Sequence, residues 1–261
     1  IVEIIGKNDI PTIEVNSGNP ENANDVVNES GLSPDGTEAG VAVLVAEGSF
    51  KLGDADGLSN LKSVTIDGTE IQISELGTGN TIDGAHGTLT ITGFDDTTGD
   101  VTYSYLLTSP VSNAADSDAG VDKFSVTVTD NSNAQSSSTI TIDIVDDKPL
   151  PGADSASVTE DGTSDSDPLT VQSVTANVMT NDVSGADAPA SFVVWTSALT
   201  GNWGVLTDKG NGSYIYTLNN DDPKVQALTA DDIKTDSFTY TMKDADGDVK
   251  TETLTVTIHG T

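Results

Sequence analysis

Thr139-Ile-Thr-Ile-Asp-Ile-Val-Asp146-Asp147-Lys148-Pro149 is the stretch that decides the fold. Apolar and polar residues alternate as far as Val145, two acids follow, and then an X-Pro pair. Period-two alternation marks a half-buried strand. The pattern has a copy at the start, Ile1-Val-Glu-Ile-Ile-Gly-Lys-Asn8-Asp9-Ile10-Pro11. A third strand copy, Thr253–Thr261, stops where the next acidic pair would come. A boundary that recurs divides a chain into modules. Residues 1–7 read as the terminal strand of a preceding module, 8–145 as a first module and 146–261 as a second. Ile1–Ile5 lacks the charged flank and cleavage site of a signal peptide. The expectation is an internal segment of a longer protein.

Between the boundaries almost everything reads as strand. Val41–Val45, Val64–Ile66, Thr88–Thr92, Val101–Leu107, and Phe124–Thr129 pairing with Thr139–Val145 fill the first module. Phe192–Trp195, Val205–Thr207, Tyr214–Leu218, Phe238–Met242 and Thr253–Ile258 fill the second. Gly, Asn and Asp occupy the gaps, as turns require. Lys224–Ile233 is the one helix-like stretch, about one short turn. Many short strands with regular turns predict an all-β chain of two tandem Ig-like β-sandwich domains. Tyr103, Tyr105, Tyr214, Tyr216, Trp195 and Trp203 are expected in the cores. Asn16–Gly40 is Gly/Asn/Ser-rich and reads as a long surface loop or edge excursion, a kind of segment that often carries function.

Two modules suit 261 residues, and each is large enough to bury a core without disulfides. There are 42 acidic residues against ten basic ones, all Lys, for a net charge of −32. That excludes a nucleic-acid partner, which needs a positive footprint, and docking on anionic lipid. No apolar run approaches the ~20 residues of a membrane span. Cysteine is absent, which fits large extracellular modules and fits a cytosolic protein equally. So negative a surface repels itself when compact, and a divalent cation would offset the repulsion.

The acids fall in places suited to such an ion. Calcium takes six to eight oxygen ligands, mostly carboxylates and carbonyls. Asp54-Ala-Asp56-Gly57 and Asp244-Ala-Asp246-Gly-Asp248 are Asp-rich turns, Asn8-Asp9 and Asp146-Asp147 are linker pairs, and Glu29 and Glu160-Asp161 come early in each module. In each module the last two strands form a hairpin whose turn lies at the end opposite the C-terminal linker. That topology puts Asp130-Asn-Ser-Asn133 near Asn8-Asp9, and Asp244–Asp248 near Asp146-Asp147. Glu29 and the Asp116, Asp118 and Asp122 cluster are expected to approach Asp146-Asp147 from the first module's other end. A cation held by the linker and by acids of both modules follows from this placement. An EF-hand does not fit, because the twelfth loop position is Thr255 after Asp244 and Thr65 after Asp54, not Glu. The calcium-binding glycine-rich nonapeptide is missing too, since no Gly-Gly pair occurs. A single Asp-rich turn is ordinary solvated structure; its repetition in two modules is what points to metal.

The second module resembles the VCBS-type repeat of type I-secreted RTX adhesins. The segments that carry the resemblance are Ala176-Asn-Val-Met-Thr-Asn-Asp182, Asn202-Trp-Gly-Val-Leu-Thr207, Gly210-Asn-Gly-Ser-Tyr-Ile-Tyr-Thr-Leu-Asn219, Val225-Gln-Ala-Leu228 and Asp236-Ser-Phe-Thr-Tyr-Thr-Met-Lys-Asp-Ala-Asp-Gly247. The first module resembles a related cadherin-like repeat through Gly48-Ser-Phe-Lys-Leu-Gly-Asp-Ala-Asp-Gly57, Phe124-Ser-Val-Thr-Val-Thr-Asp130 and the linkers. The resemblance implies cadherin-like sandwiches, a bacterial cell-surface or secreted location, and Ca2+ at module junctions. By analogy Asp54, Asp56 and Asp130 would join Asn8 and Asp9 at the first junction. The linker here is shorter than a cadherin's and poorer in Asn/Asp. The full set of expected calcium ligands is Asn8, Asp9, Glu29, Asp54, Asp56, Asp116, Asp118, Asp130, Asp146, Asp147, Glu160, Asp182, Asp244, Asp246 and Asp248.

The expected function is a calcium-rigidified extender of a large bacterial adhesin, monomeric, with neighbouring modules as its partners and a ligand-binding tip beyond it. The alternative is a module that itself binds an extracellular sugar or peptide through the Asn16–Gly40 loop and the two Trp, a reading by fold-level analogy. An enzyme is not expected. His86 and His259 are the only His, and no carboxylate spacing singles out a glycosidase pair.

Overall fold

A computed structural model describes residues 6–15, 26–112, 119–160 and 172–261. These form two compact units, the first made of residues 6–15, 26–33, 38–112 and 119–146, the second of 34–37, 147–160 and 172–261.

Unit 1 contains β1 (Thr12–Val15), β2 (Val26–Asn28), β3 (Val45–Gly53), β4 (Leu61–Ile66), β5 (Thr69–Gln72), β6 (Thr81–Asp83), β7 (Gly87–Phe94), β8 (Asp100–Leu107), β9 (Ala119–Asp130) and β10 (Gln135–Val145). They make one sheet in the order β1-β3-β8-β7-β6 and another in the order β2-β10-β9-β4-β5. Alternation decides which side chains meet between the sheets. Val101, Tyr103, Tyr105 and Leu107 point inward from β8 against Phe124, Val126 and Val128 of β9 and Ile140, Ile142 and Ile144 of β10. Fully burying a large apolar side chain stabilises by about 1.5–3 kcal/mol. Gly48 makes room for this packing, because a Cβ there would sit 2.3 Å from the Tyr103 hydroxyl.

Unit 2 contains β11 (Asp154–Thr159), β12 (Ser173–Asn177), β13 (Ser191–Trp195), β14 (Gly204–Gly210), β15 (Ser213–Leu218), β16 (Ile233–Lys243) and β17 (Val249–His259). The sheets run β11-β17-β16-β13 and β12-β15-β14. Their core holds Trp195, Tyr214, Tyr216, Phe238, Tyr240, Leu254, Val256 and Ile258. Both units are therefore all-β sandwiches, and both share one topological device. A strand near the start of the unit lies parallel to the last strand: β2 beside β10 (Val26↔Asp143), β11 beside β17 (Asp154↔Leu254). The last strand is in turn the second arm of a long antiparallel hairpin, β9–β10 or β16–β17.

Two local expectations change. Val41–Val45 is not a strand as a whole, because β3 begins only at Val45. The backbone before it closes a turn, with Val41 N and Ala42 N donating to Glu38 O, and Val41 is 83% exposed. Lys224–Ile233 holds turns and no helix up to β16: Val225 N and Gln226 N both donate to Asp222 O, and Val225 and Leu228 plug the core. No helix among the described residues is long and apolar enough to cross a membrane.

Candidate metal sites

The hairpin turn of unit 1 gathers oxygen atoms around Asp130. Its Oδ1 accepts from Ser132 N at 2.8 Å and Ala134 N at 2.7 Å, while Asn133 takes the left-handed conformation (φ 67°) that Asn tolerates. Its Oδ2 accepts from Asn8 Nδ2 at 2.7 Å. Asp54 Oδ1 accepts from Asp56 N at 2.8 Å, fixing the Asp-X-Asp-Gly turn. Asp56 Oδ2 accepts from Asp9 N at 2.9 Å, so the entering chain is tied to that turn. Asn60 Nδ2 bridges Asp54 Oδ2 at 3.1 Å and Asn8 Oδ1 at 3.4 Å. Asn8, Asp9, Asp54, Asp56 and Asp130 thus come together within one unit, joined by Asn60. The Asn8 amide first, and then the turn amides, hold the fully buried Asp130 carboxyl below its ordinary range. It stays charged where a cation would meet it.

The hairpin turn of unit 2 has the same build. Asp244 N donates to Asp248 O as Asp130 N does to Ala134 O. Asp244 Oδ1 accepts from Gly247 N at 2.9 Å and Asp248 N at 2.7 Å. Its Oδ2 is buried and has no hydrogen-bond partner among the described residues. Burial pushes the Asp244 carboxyl up to about 6, and the neighbouring Asp246 carboxylate adds to the rise while the two turn amides oppose it. Around this turn lie Asp187, whose carbonyl accepts from Ala245 N at 3.0 Å, and Lys148, whose Nζ lies 3.5 Å from Asp248 Oδ2. Asp147 is committed to protein donors: its Oδ2 accepts from Thr37 N and Ala186 N at 2.9 Å each, and the Thr37 hydroxyl donates to its Oδ1.

Glu29 and Glu160 occupy matching places, each just after the strand that runs parallel to the last one. Both are buried. Glu29 Oε1 accepts from Val111 N at 2.7 Å, and a Glu29 oxygen lies within 4.8 Å of one of Asp146. Glu160 Oε1 accepts from the Thr261 N at 3.0 Å and hydroxyl at 2.5 Å.

Other expected ligands lie elsewhere. Asp116, Asp118 and Asp161 fall outside the described residues. Asp122 does not join Glu29. It is buried in the sandwich, where its carboxylate accepts from Ala85 N, His86 N and the Tyr105 hydroxyl. Asp182 sits apart from the hairpin turn, accepting from Gly152 N at 2.8 Å and sharing the Tyr240 hydroxyl with Asp154. Burial raises the Asp154 carboxyl to about 6 against the pull of Tyr240, and the Asp182 and Glu252 carboxylates raise it further. Asp154 in the fold thus keeps a proton that the unfolded chain releases near its ordinary value of 3.8. The stability it contributes is present at low pH and is lost as pH rises from about 4 through about 6. In chelator, the Asp154→Asn variant should show a smaller drop in melting temperature between pH 5 and pH 7 than the parent. Equal drops by calorimetry would refute this.

Sequence reasoning missed Asn60, Asp187 and Lys148. Asn60, six residues after Asp54, was legible in principle; the other two meet the turn only through the fold. Neither Trp offers an open platform. Trp195 is buried and Trp203 lies under the Lys224 ammonium, 5.5 Å from its ring centroid.

No curated protein sequence matches the chain. Among solved structures, protocadherin gammaB7 EC3-6 is 14% identical with a TM-score of 0.34, covering 99% of this chain and 51% of that one. Zebrafish RET cadherin-like domains 1 to 4 are 10% identical (TM-score 0.28; 97% and 52% covered). The Bacteroides ovatus glucan-locus protein SGBP-B, in complex with a mixed-linkage heptasaccharide, is 12% identical (TM-score 0.23; 95% and 48% covered). The chain spans about half the length of each, and likeness at this level decides nothing about what it binds. Residues 146–260, which span β11 to β17, match the sequence profile of the bacterial cadherin-like domain.

Proposed function

We propose that the chain is a calcium-stiffened extender from an extracellular bacterial adhesin, each unit holding Ca2+ at the end where its chain enters. The observation that carries this is the repeated hairpin nest. Asp130 and Asp244 each close the turn with one oxygen; the other accepts from the Asn8 amide in Asp130, and in Asp244 is buried with no hydrogen-bond partner among the described residues. The donor set suits a hard cation, being carboxylate and amide oxygen with no thiolate or imidazole. Asp54, Asp56, Asp130, Asn8 and Asp9 would hold the ion in unit 1; Asp244, Asp246 and Asp248, with Asp187, would hold it in unit 2. In unit 1 a cation there would fasten the entering segment Asn8-Asp9 onto its own unit, which is the stiffness an extender needs. The cadherin-like profile over residues 146–260 supports the adhesin reading and neighbouring modules as partners. A chain of this kind stays loose in low-calcium cytosol and tightens outside the cell.

Extracellular modules bind calcium with dissociation constants of roughly 0.1–1 mM. Calcium counted by equilibrium dialysis at 5 mM should reach at least one ion per unit. The Asp54→Asn/Asp56→Asn variant should lose the unit 1 ion and Asp244→Asn/Asp246→Asn the unit 2 ion. An absence of bound calcium in the parent chain rules the reading out.

A further inference from the structure

The two nests differ in what neutralises them. In unit 1 the entering residues Asn8 and Asp9 are followed by Ile10, and the Asn8 amide, an uncharged donor, fills Asp130 Oδ2. In unit 2 the matching position after Asp147 is Lys148. Its Nζ stands 3.5 Å from Asp248 Oδ2, with the Asp248 side chain 2% exposed and the Lys148 side chain 29% exposed. Four positions back along the same turn, Asp244 Oδ2 is buried without a hydrogen-bond partner among the described residues.

We propose that Lys148 is a resident competitor for the divalent cation of unit 2. Its ammonium stands in for the ion beside Asp248, and has to swing away before that carboxylate can ligate. The proposal rests on the reading of the nests as calcium sites. Lys suits the role for three reasons. Its charge is a compact, strongly hydrated point on a flexible stem, able to move to solvent at little cost. A buried carboxylate such as Asp248 is costly to hold without a counter-charge, so the ammonium offsets part of that cost while calcium is absent. A divalent ion that has to displace the ammonium binds with a weaker apparent affinity, so it fills the site at a higher concentration. In unit 1 the lysine at the turn, Lys62, donates to the neutral amide oxygen of Asn133 at 3.2 Å, and no ion pair described there sets a lysine against a nest carboxylate, so the competition is weaker. The chain would therefore load unit 1 first and unit 2 at higher calcium.

Calorimetric titration of the full chain with Ca2+ tests this alongside three variants: Lys148→Met, Lys148→Arg, and Lys209→Met as a control for charge removed elsewhere in the unit. Lys148→Met should tighten the weaker site about tenfold and leave the tighter one unchanged. Lys148→Arg should leave the weaker site weak, and Lys209→Met should move it less than twofold. A second measurement needs no variant. Reductive methylation of the parent chain, mapped by mass spectrometry, should label Lys148 at least threefold faster with 5 mM Ca2+ than in chelator. If calcium binds but Lys148→Met matches Lys209→Met, or Lys148 labelling stays flat or falls, the competitor role is overturned and the calcium sites stand. If no variant and no parent binds calcium, both readings fall.

Discussion

Replacing Asp236 by Ala should cost unit 2 about 4 kcal/mol or more, a large part of the ~5–15 kcal/mol that holds an ordinary domain together. The Asp236 side chain is buried, and no lysine hydrogen bond to it is found among the described residues. It accepts instead from Asn202 N at 2.7 Å, Trp203 N at 3.0 Å, Gly204 N at 3.0 Å and the Tyr216 hydroxyl at 2.8 Å. Gly201 has no side chain because a Cβ would lie 2.2 Å from this carboxylate. Alanine removes the acceptor and strands four donors, two of them in bonds that are fully buried. Each donor so stranded costs about 1–3 kcal/mol. Tyr216→Phe removes a single donor and should cost only about 1–1.5 kcal/mol. Urea denaturation separates the cases: a loss below about 1.5 kcal/mol for Asp236→Ala would mean that the loop holds itself. Unit 1 repeats the arrangement with Asp122, Tyr105 and the amides of Ala85 and His86. In both units this acid lies eight residues before the turn acid, Asp122 before Asp130 and Asp236 before Asp244.

Calcium should raise the melting temperature of the chelated chain by on the order of 10 °C for each site filled. A ligand at 100 times its dissociation constant adds about 2.7 kcal/mol, and 1 kcal/mol shifts a domain of this size by a few degrees. The effect is not general screening. With a net charge of −32, sodium chloride will also stabilise the chain by weakening self-repulsion, so the comparison is made at equal ionic strength. Magnesium, which dehydrates reluctantly and demands near-octahedral geometry, should give a much smaller shift. Equal shifts from calcium, magnesium and matched sodium chloride would mean that charge screening is all there is.

Most strands read from the sequence, such as β7 and β8, pair with a chain neighbour, although β13, read as Phe192–Trp195, pairs with the distant β16. β9 and β10, or β16 and β17, are eleven or twelve residues long and bury alternate apolar residues along part of that length, Ile140, Ile142 and Ile144 in β10 and Leu254, Val256 and Ile258 in β17. The strands that escaped are mostly short or polar: β5 and β6 pair with their chain neighbours β4 and β7, while β1, β2, β11 and β12 owe their ladders to distant partners. β11 is Asp-Ser-Ala-Ser-Val-Thr, which buries only Val158 and is a strand because β17 lies beside it. β2, three residues long, depends on β10 in the same way. The acids divide along similar lines. Asp54, Asp56, Asp130 and Asp244 announce themselves because each shapes its own turn. Asp122 looks like one more member of an acidic run, and only the fold reveals that Tyr105 and the loop amides have claimed it. Asp187 and Lys148 carry no local signature, since what matters about them is a turn roughly 60 to 100 residues away.

The parallel pairing of each unit's early strand with its last strand has a mechanical consequence. Tension applied at residue 154 and residue 259 pulls β11 and β17 past one another along their length, because the two strands run the same way from Asp154↔Leu254 to Thr159↔His259. Every rung of that ladder is then loaded together, in shear, and none can be peeled open one at a time as the rungs of a hairpin can. β2 and β10 meet over three residue pairs, β11 and β17 over six. Of the two shear clamps, the one in unit 2 is the longer, so a tether built from such units would yield first at its shorter ladder.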